Sequence, residues 1–157
     1  MSKHQNRIAA TLLALVPAWA QAQAPEQIDV CGLISIDEVN AMANVPASKT
    51  RSMATKNGEE CTFLDSSRKA VFTVEVRPAK LPKAEMDMEA ESLQKIYRTS
   101  VKPVEIGEGG FWLTTKQELY FRKGKRIVRV VLAPEKDAKA VEAKTQSAGR
   151  LIESRLK

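Results

Sequence analysis

The stretch Gln117-Glu-Leu-Tyr-Phe-Arg-Lys-Gly-Lys-Arg-Ile-Val-Arg-Val-Val-Leu132 decides the fold class of this chain. Its two halves are rich in β-branched and aromatic residues, and Lys123-Gly124 between them supplies the glycine that a tight hairpin turn favours. A two-residue turn at that dipeptide would set Glu118 opposite Arg129 on adjacent strands. The stretch therefore predicts an antiparallel hairpin with an exposed cross-strand ion pair.

Outward from this hairpin, helical and extended patterns alternate along the chain. Ser35-Ile-Asp-Glu38 is a capping box, which begins a helix that is expected to run to about Asn44. The other predicted elements are, in order, strands at 61–65 and 71–76, a helix at about 83–99, strands at 111–115, 117–122 and 125–132, and a helix from Pro134 to about Leu156.

This order, α-β-β-α-β-β-β-α, predicts an α+β fold, in which one antiparallel sheet is packed by helices mainly on one face. An additional strand at 101–106 stays open as an alternative. The polar segment 47–60 is expected to form a loop, with a turn at Asn57-Gly58. The chain has 157 residues, and we predict one domain over residues 23–157.

The first 22 residues have the pattern of an export signal. Lys3 and Arg7 precede an uncharged, mostly apolar run at 8–16, and overlapping Ala-x-Ala frames follow it. This pattern is typical of a secretory signal peptide, with cleavage expected after Ala22 or Ala20. The alternative is an amphipathic or buried N-terminal helix. The run is too short to span a bilayer, so we expect a periplasmic protein with no transmembrane segment in the mature chain.

Cleavage would narrow the chemistry that the protein can perform. Removing Lys3 and Arg7 from 25 Lys and Arg leaves 23 against 19 acidic residues, a net charge of +4. It also removes His4, which is the only histidine. Without histidine, Ser-His and Cys-His nucleophile pairs and the common His-based zinc sites are excluded. We therefore predict no catalytic residue, no metal site and no cofactor.

The two cysteines, Cys31 and Cys61, are expected to form a disulfide, because exported domains commonly join such pairs. The bond would close a loop whose ends are 30 positions apart. Loop-closure entropy gives such a bond about 3–4 kcal/mol of stabilisation. The alternative is a redox-active or metal-binding pair, which the long spacing disfavours.

Three stretches together carry a resemblance to known proteins. They are Cys31-Gly-Leu-Ile-Ser-Ile-Asp-Glu-Val39, Cys61-Thr-Phe63, and Gly107-Glu-Gly-Gly-Phe-Trp112 followed by 119–124 and 127–132. In this order they resemble a class of small exported domains and cell-envelope lipoproteins of unknown function. The chain departs from the lipoprotein members, because no lipid-attachment cysteine follows its apolar run. The class brings no established reaction, so the resemblance implies no catalytic residue.

The hairpin carries the main candidate binding site. Its cations are Arg122, Lys123, Lys125 and Arg126, with Arg129 further along the strand. Clustered cations attract anionic partners such as phosphorylated lipid headgroups, acidic glycans or an acidic protein face. The alternative is a solvated turn whose charges prevent edge-to-edge pairing of the hairpin.

An aromatic pair after the glycine-rich bend is a second candidate. In an alternating strand, Phe111 and Trp112 point to opposite faces of the sheet. An outward Trp112 would be a binding contact next to the bend. The alternative is that both rings cap the core.

The acidic residues of the second predicted helix are expected to form a solvated face rather than a catalytic pair; they are Glu85, Asp87, Glu89 and Glu91. We therefore predict a non-enzymatic periplasmic binding or interaction protein, whose partner is a protein or an anionic envelope component. Nucleic acid is disfavoured, because stacking aromatic residues are few and the charge is modest. The alternative is an inhibitor or immunity protein against an envelope-degrading enzyme, followed by an envelope hydrolase that uses paired carboxylates.

Overall fold

The computed structural model describes residues 28–81 and 84–157. The predicted export signal at 1–22 lies outside the described residues. The helices are a 3-10 turn at Val30–Leu33, α1 at Ile36–Asn40, α2 at Ala84–Tyr97 and α3 at Ala138–Arg155. The strands are β1 at Lys49–Ala54, β2 at Glu59–Leu64, β3 at Ala70–Pro78, β4 at Val101–Val104, β5 at Gly110–Leu113, β6 at Glu118–Lys123 and β7 at Arg126–Leu132.

The strands form one antiparallel sheet in the order β1-β2-β3-β7-β6-β5-β4. Two meanders, β1-β2-β3 and β4-β5-β6-β7, join where β3 pairs with β7, and α2 connects them along the chain. The predicted α+β class with an antiparallel sheet is confirmed. No helix in the described part of the chain is long and apolar enough to cross a membrane.

The strand count exceeds the predicted order. The strand left open near 101–106 forms as β4, and β1 lies inside the segment 47–60 that the sequence predicted to be a loop. All six residues of β1 are exposed, and this edge strand pairs only with β2. Such a strand is held by backbone hydrogen bonds and lacks the apolar alternation by which sequence analysis detects strands.

Both faces of the sheet are covered. On one face α1, the 3-10 turn and α3 pack over the main core, whose large side chains include Phe63, Phe72, Trp112 and Phe121. On the other face Met86 of α2 packs against a smaller core of Phe111, Leu113, Tyr120 and Ile127. Three of the four described helical segments therefore lie on one face, in line with the prediction, and α2 is the exception. Strands β5 to β7 carry apolar side chains on both faces, so each face needs a cover.

The predicted disulfide is confirmed. The sulfur atoms of Cys31 and Cys61 are 2.02 Å apart, and no cysteine is free. Cys31 belongs to the 3-10 turn, whereas Cys61 lies fully buried in the middle of β2. The bond therefore fastens the N-terminal segment to the main core.

The hairpin forms with a register that differs from the prediction. Its turn residues are Gly124 and Lys125, because Lys123 pairs with Arg126. Gly124 has φ +57°, and a glycine with positive φ at the first central position is what a type II′ hairpin turn requires. As a result the residue opposite Arg129 is Tyr120 instead of Glu118.

Candidate functional site

The exposed end of the β6-β7 hairpin carries four of the predicted cations, and we call Arg122, Lys123, Lys125 and Arg126 the hairpin tip. Gly124 and Lys125 are exposed, whereas the other three cations are half-buried. The structure therefore brings four predicted binding residues together, with Lys125 the most accessible of them.

Arg122 stabilises the hairpin turn through hydrogen bonds to backbone carbonyl oxygens. Its Nε donates to the carbonyl oxygen of Gly124 at 2.8 Å, and its Nη1 donates to that of Leu81 at 2.9 Å. The carboxylate of Glu108 lies 3.7 Å from the guanidinium, and the Arg122 side chain is only 13% exposed. This arginine therefore fixes the shape of the turn and leaves little of its charge for a partner.

Two further cations of the hairpin tip contact the end of the chain. Lys123 Nζ lies 3.2 Å from Glu153 Oε1 on α3. Arg126 Nη1 donates to the carbonyl oxygen of Lys157 at 3.2 Å. Lys125 extends from the turn itself and adds an exposed cation beyond these contacts. The tip is therefore positively charged, and Lys125 is its most available charge.

Two predicted binding residues lie elsewhere. Trp112 is 1% exposed and belongs to the main core, so the prediction of an outward binding contact is wrong. Phe111 does point to the opposite face, as alternation requires, but α2 covers that face and leaves Phe111 4% exposed. Arg129 lies away from the hairpin tip, on the face that carries α2.

A polar cleft of about 310 Å³ opens beside α2, and we call it the α2 cleft. Its floor comes from β3, β6 and β7, and α2 forms one wall. The lining residues are Asn57, Glu75, Arg77, Glu89, Tyr97, Glu118, Tyr120, Ile127 and Arg129. Charged side chains from four separate elements therefore converge on one concave surface.

Arg129 links two carboxylates at the centre of the cleft. Its Nη2 lies 2.7 Å from Glu118 Oε1, and its Nε donates to Glu118 Oε2 at 3.2 Å. Tyr120 Oη also donates to Glu118 Oε2, at 2.7 Å. The second carboxylate, Glu75, is 3.5 Å from Arg129 Nη1. The predicted Glu118–Arg129 ion pair thus exists, but it is diagonal across the strands and half-buried instead of exposed.

These contacts shift the titration of the three groups. Burial alone would raise the pKa of Glu118, but the hydrogen bonds from Arg129 and Tyr120 outweigh it and hold that pKa below its usual value. Burial, together with the Glu118 carboxylate, raises the pKa of Tyr120 well above its usual range. The Arg129 pKa rises despite burial, because Glu118 stabilises its charged form. The charged pair and the neutral phenol therefore persist over a wide pH range.

Arg77 forms a second network between β3 and α2. Its Nη2 lies 2.7 Å from Glu89 Oε2, and its Nη1 lies 3.6 Å from Glu85 Oε1. Glu85 also accepts hydrogen bonds from the backbone N–H groups of Lys80 and Leu81. The prediction that Glu85 and Glu89 belong to a solvated helix face is therefore wrong. They turn inward because Arg77 on the sheet lies beneath them.

Sequence reasoning missed the α2 cleft apart from its Glu118–Arg129 pair. A signal was present in β3, where alternation put Glu75 on the face opposite Phe72, Val74 and Val76. This alternation did not reveal that a helix would lie next to the charged face.

Within residues 28–81 and 84–157, no group of three or more His, Cys, Asp or Glu side chains is arranged to hold a metal ion.

Comparison with known proteins adds no family to these observations. No protein-family model matches the chain. A search of curated proteins finds no significant match either. The resemblance to small exported envelope domains therefore stays a prediction.

Proposed function

We propose that this is a non-enzymatic, exported binding protein that contacts an anionic partner through the hairpin tip. The observation that carries the proposal is the charge of this hairpin end. Four cations lie within five residues around an exposed turn; Glu108 pairs with Arg122 and Glu153 pairs with Lys123, whereas Lys125 extends from the turn and is exposed. Such a cluster of positive charge attracts anions over a range of about 8–10 Å at physiological salt.

The proposed absence of catalysis is supported by the state of the cleft carboxylates. Hydrolysis by a carboxyl pair needs a general acid that stays protonated, and therefore a raised pKa. Glu118 has a lowered pKa, and its oxygens are bound by Arg129 and Tyr120. A carboxylate held in this way stabilises its neighbours and is poorly suited to donate a proton.

Export is supported by the disulfide and by the pattern of residues 1–22. Disulfides persist in oxidising compartments such as the periplasm. The bond between Cys31 and Cys61 lies in the first part of the described chain and ties it to a buried strand. The proposed partner is accordingly an anionic component of the cell envelope or an acidic protein face.

The test is binding to vesicles that contain phosphatidylglycerol, compared with vesicles of phosphatidylcholine alone. The variant Lys123→Gln/Lys125→Gln removes two charges from the tip and spares Arg122, which braces the turn. Each lysine near an anionic surface contributes about 1 kcal/mol, so the double variant should bind about 30-fold more weakly. Its melting temperature should change little, because the lost Lys123–Glu153 pair is partly exposed.

The matched control is Lys49→Gln/Lys69→Gln, which removes two exposed lysines outside the tip. It should bind the anionic vesicles nearly as well as the original protein. Equal weakening by both double variants would show that net charge, and not the hairpin tip, attracts the vesicles. If no variant binds vesicles, the same pair of variants is compared by affinity capture from periplasmic extract. Unchanged capture by the tip variant would overturn the proposal.

A further inference from the structure

We propose that the α2 cleft binds a small organic ligand through a primary ammonium group, with Glu75 as the carboxylate that receives it. This inference uses a surface other than the hairpin tip and does not depend on the proposed function. It follows from the distribution of charge in the cleft, from the position of Glu75 in the sheet and from the size of the cavity.

Carboxylates outnumber guanidiniums in and around the cleft. Arg77 and Arg129 are each shared by two carboxylates, one close and one distant. The close partners, Glu89 and Glu118, lie at 2.7 Å, and the distant partners lie at 3.6 and 3.5 Å. Two guanidiniums are therefore shared among four carboxylates, so the more distant carboxylate of each pair is only partly compensated.

Glu75 is the less compensated of these two distant carboxylates. Glu85, the other distant carboxylate, accepts two backbone N–H bonds at 2.8 and 2.9 Å. Glu75 has no such donor among the described residues, where its ion pair is the 3.5 Å contact with Arg129 Nη1. Its side chain is 21% exposed and lines the cavity, so its oxygens remain open to a ligand. A charge-assisted hydrogen bond from an ammonium group would complete its coordination.

A second carboxylate reinforces this position from the neighbouring strand. Glu60 of β2 is the direct cross-strand partner of Glu75, so both side chains stand on the same face of the sheet. Like charges directly opposite each other on adjacent strands are destabilising. Glu60 accepts a hydrogen bond from the Thr62 hydroxyl, which does not cancel its charge. A cation bound at Glu75 would relieve the repulsion.

The donor set favours an ammonium ion over a metal ion. No cluster of three or more metal-ligating side chains exists in the part of the chain that the structure describes. Ile127 and Tyr120, which belong to the smaller core, also line the cleft and contribute the little apolar surface that it has. At about 310 Å³ the cavity has room for an amine with a short chain. Free amines and peptide N-termini both supply this chemistry.

The experiment is a titration of the purified protein with n-butylammonium, followed by amide chemical shifts in NMR and by calorimetry. Shift changes should concentrate at Glu75, Arg129 and their neighbours. Glu75→Gln keeps the size of the side chain and removes its charge, so it should weaken binding about tenfold or more. This variant removes the repulsion with Glu60 together with the 3.5 Å contact with Arg129, so we expect it to fold with little change in stability.

Asp87→Asn is the matched control, because it removes one exposed carboxylate from α2 outside the cleft lining. Its affinity for n-butylammonium should not change. Equal binding by Glu75→Gln, equal binding of uncharged n-butanol, or tighter binding of Mg²⁺ at the same residues would each overturn the proposal. Titrations with putrescine and with trialanine then show whether the ammonium group comes from a free amine or from a peptide N-terminus. Tighter binding of putrescine indicates a free amine, and tighter binding of trialanine indicates a peptide N-terminus.

Discussion

Arg155 and Glu38 join α3 to α1, with Arg155 Nη2 2.6 Å from Glu38 Oε1. Arg155 Nη1 contacts Glu38 Oε2 and the carbonyl oxygen of Leu33, both at 2.9 Å. The same Glu38 carboxylate also completes the capping box by accepting from the Ser35 N–H at 2.8 Å. One carboxylate therefore stabilises the start of α1 and anchors the end of α3.

This arrangement predicts a loss of stability in acid. The hydrogen bonds from Arg155, and then that from the Ser35 backbone, lower the pKa of Glu38 from 4.5 to about 2. Because the folded-state pKa is depressed, the contribution of Glu38 is fully present above pH 4.5 and is lost as the pH falls towards 2. Glu38→Gln keeps the capping geometry and should remove this part of the pH dependence.

At neutral pH, Glu38→Gln should cost about 0.5–1 kcal/mol, since the ion pair is partly exposed. Urea unfolding at a series of pH values measures both effects. Asp37→Asn is the control, because it removes a neighbouring carboxylate on the same helix turn and leaves the Glu38–Arg155 pair in place. An acid dependence that is unchanged in Glu38→Gln would contradict the assignment.

Removal of the disulfide should lower the stability of the protein more than Glu38→Gln does. Cys31 and Cys61 enclose a loop of sequence separation 30, and Cys61 is fully buried. The double variant Cys31→Ala/Cys61→Ala should lose about 3–4 kcal/mol, mainly because its unfolded chain gains conformational entropy. Urea unfolding of the variant, and of the original protein with and without reductant, measures this loss. A reductant that does not change the stability of the original protein would contradict the prediction.

The sequence predicted those features whose signal is local. The capping box at Ser35 and Glu38 lies within four residues, and the structure reproduces its two hydrogen bonds. The stretch 126–132 is apolar and β-branched along most of its length, and it forms β7 near the centre of the sheet. In both places the residues that specify the element are also the residues that form it.

Features that depend on distant parts of the chain were missed. β1 is polar, and it becomes a strand only because the backbone of β2 lies beside it. The hairpin register depends on which position of the turn Gly124 occupies, and the dipeptide alone does not specify this position. The α2 cleft combines residues from β3, α2, β6 and β7, so no single segment contains its pattern.

We expect the stability of the protein to depend strongly on the Arg129 guanidinium at the centre of the α2 cleft. Arg129→Met would leave the Glu118 carboxylate, which is 12% exposed, without its cationic partner. Loss of the partner of a largely buried charge costs about 3 kcal/mol. Tyr120→Phe removes a single hydrogen bond to the same carboxylate and should cost only about 1 kcal/mol.

The pH dependence of the Arg129→Met variant checks its cause. The pKa of Glu118 lies below 4.5 in the original protein, so its charged form contributes stability above that pH. Without Arg129, burial acts with less opposition and raises this pKa. The difference in free energy of unfolding between Arg129→Met and the original protein should therefore become smaller as the pH is lowered and Glu118 becomes neutral. If this difference in free energy of unfolding is the same at pH 4 and pH 7, the loss of stability is caused by altered packing instead.

Substitution by alanine should destabilise the protein to different extents at two glycines near the hairpin, Gly107 and Gly124. Gly107 has φ +61°, and a Cβ atom there would lie 2.1 Å from the backbone carbonyl oxygen of Arg122. That oxygen also accepts a 2.7 Å hydrogen bond from the Glu108 N–H, so it has little freedom to move. Gly124 has a similar φ of +57°, but a Cβ atom there would meet no other atom within 4 Å.

Gly124→Ala should therefore carry only the strain of a positive φ, about 1–2 kcal/mol, whereas Gly107→Ala adds a backbone clash and should cost about 3 kcal/mol or more. Urea unfolding of the two variants measures the difference, and equal costs would contradict it. Gly124→Ala should also keep binding to anionic vesicles, because it leaves the cations of the hairpin tip in place. Gly107→Ala moves the Arg122 backbone, so its binding should fall together with its stability.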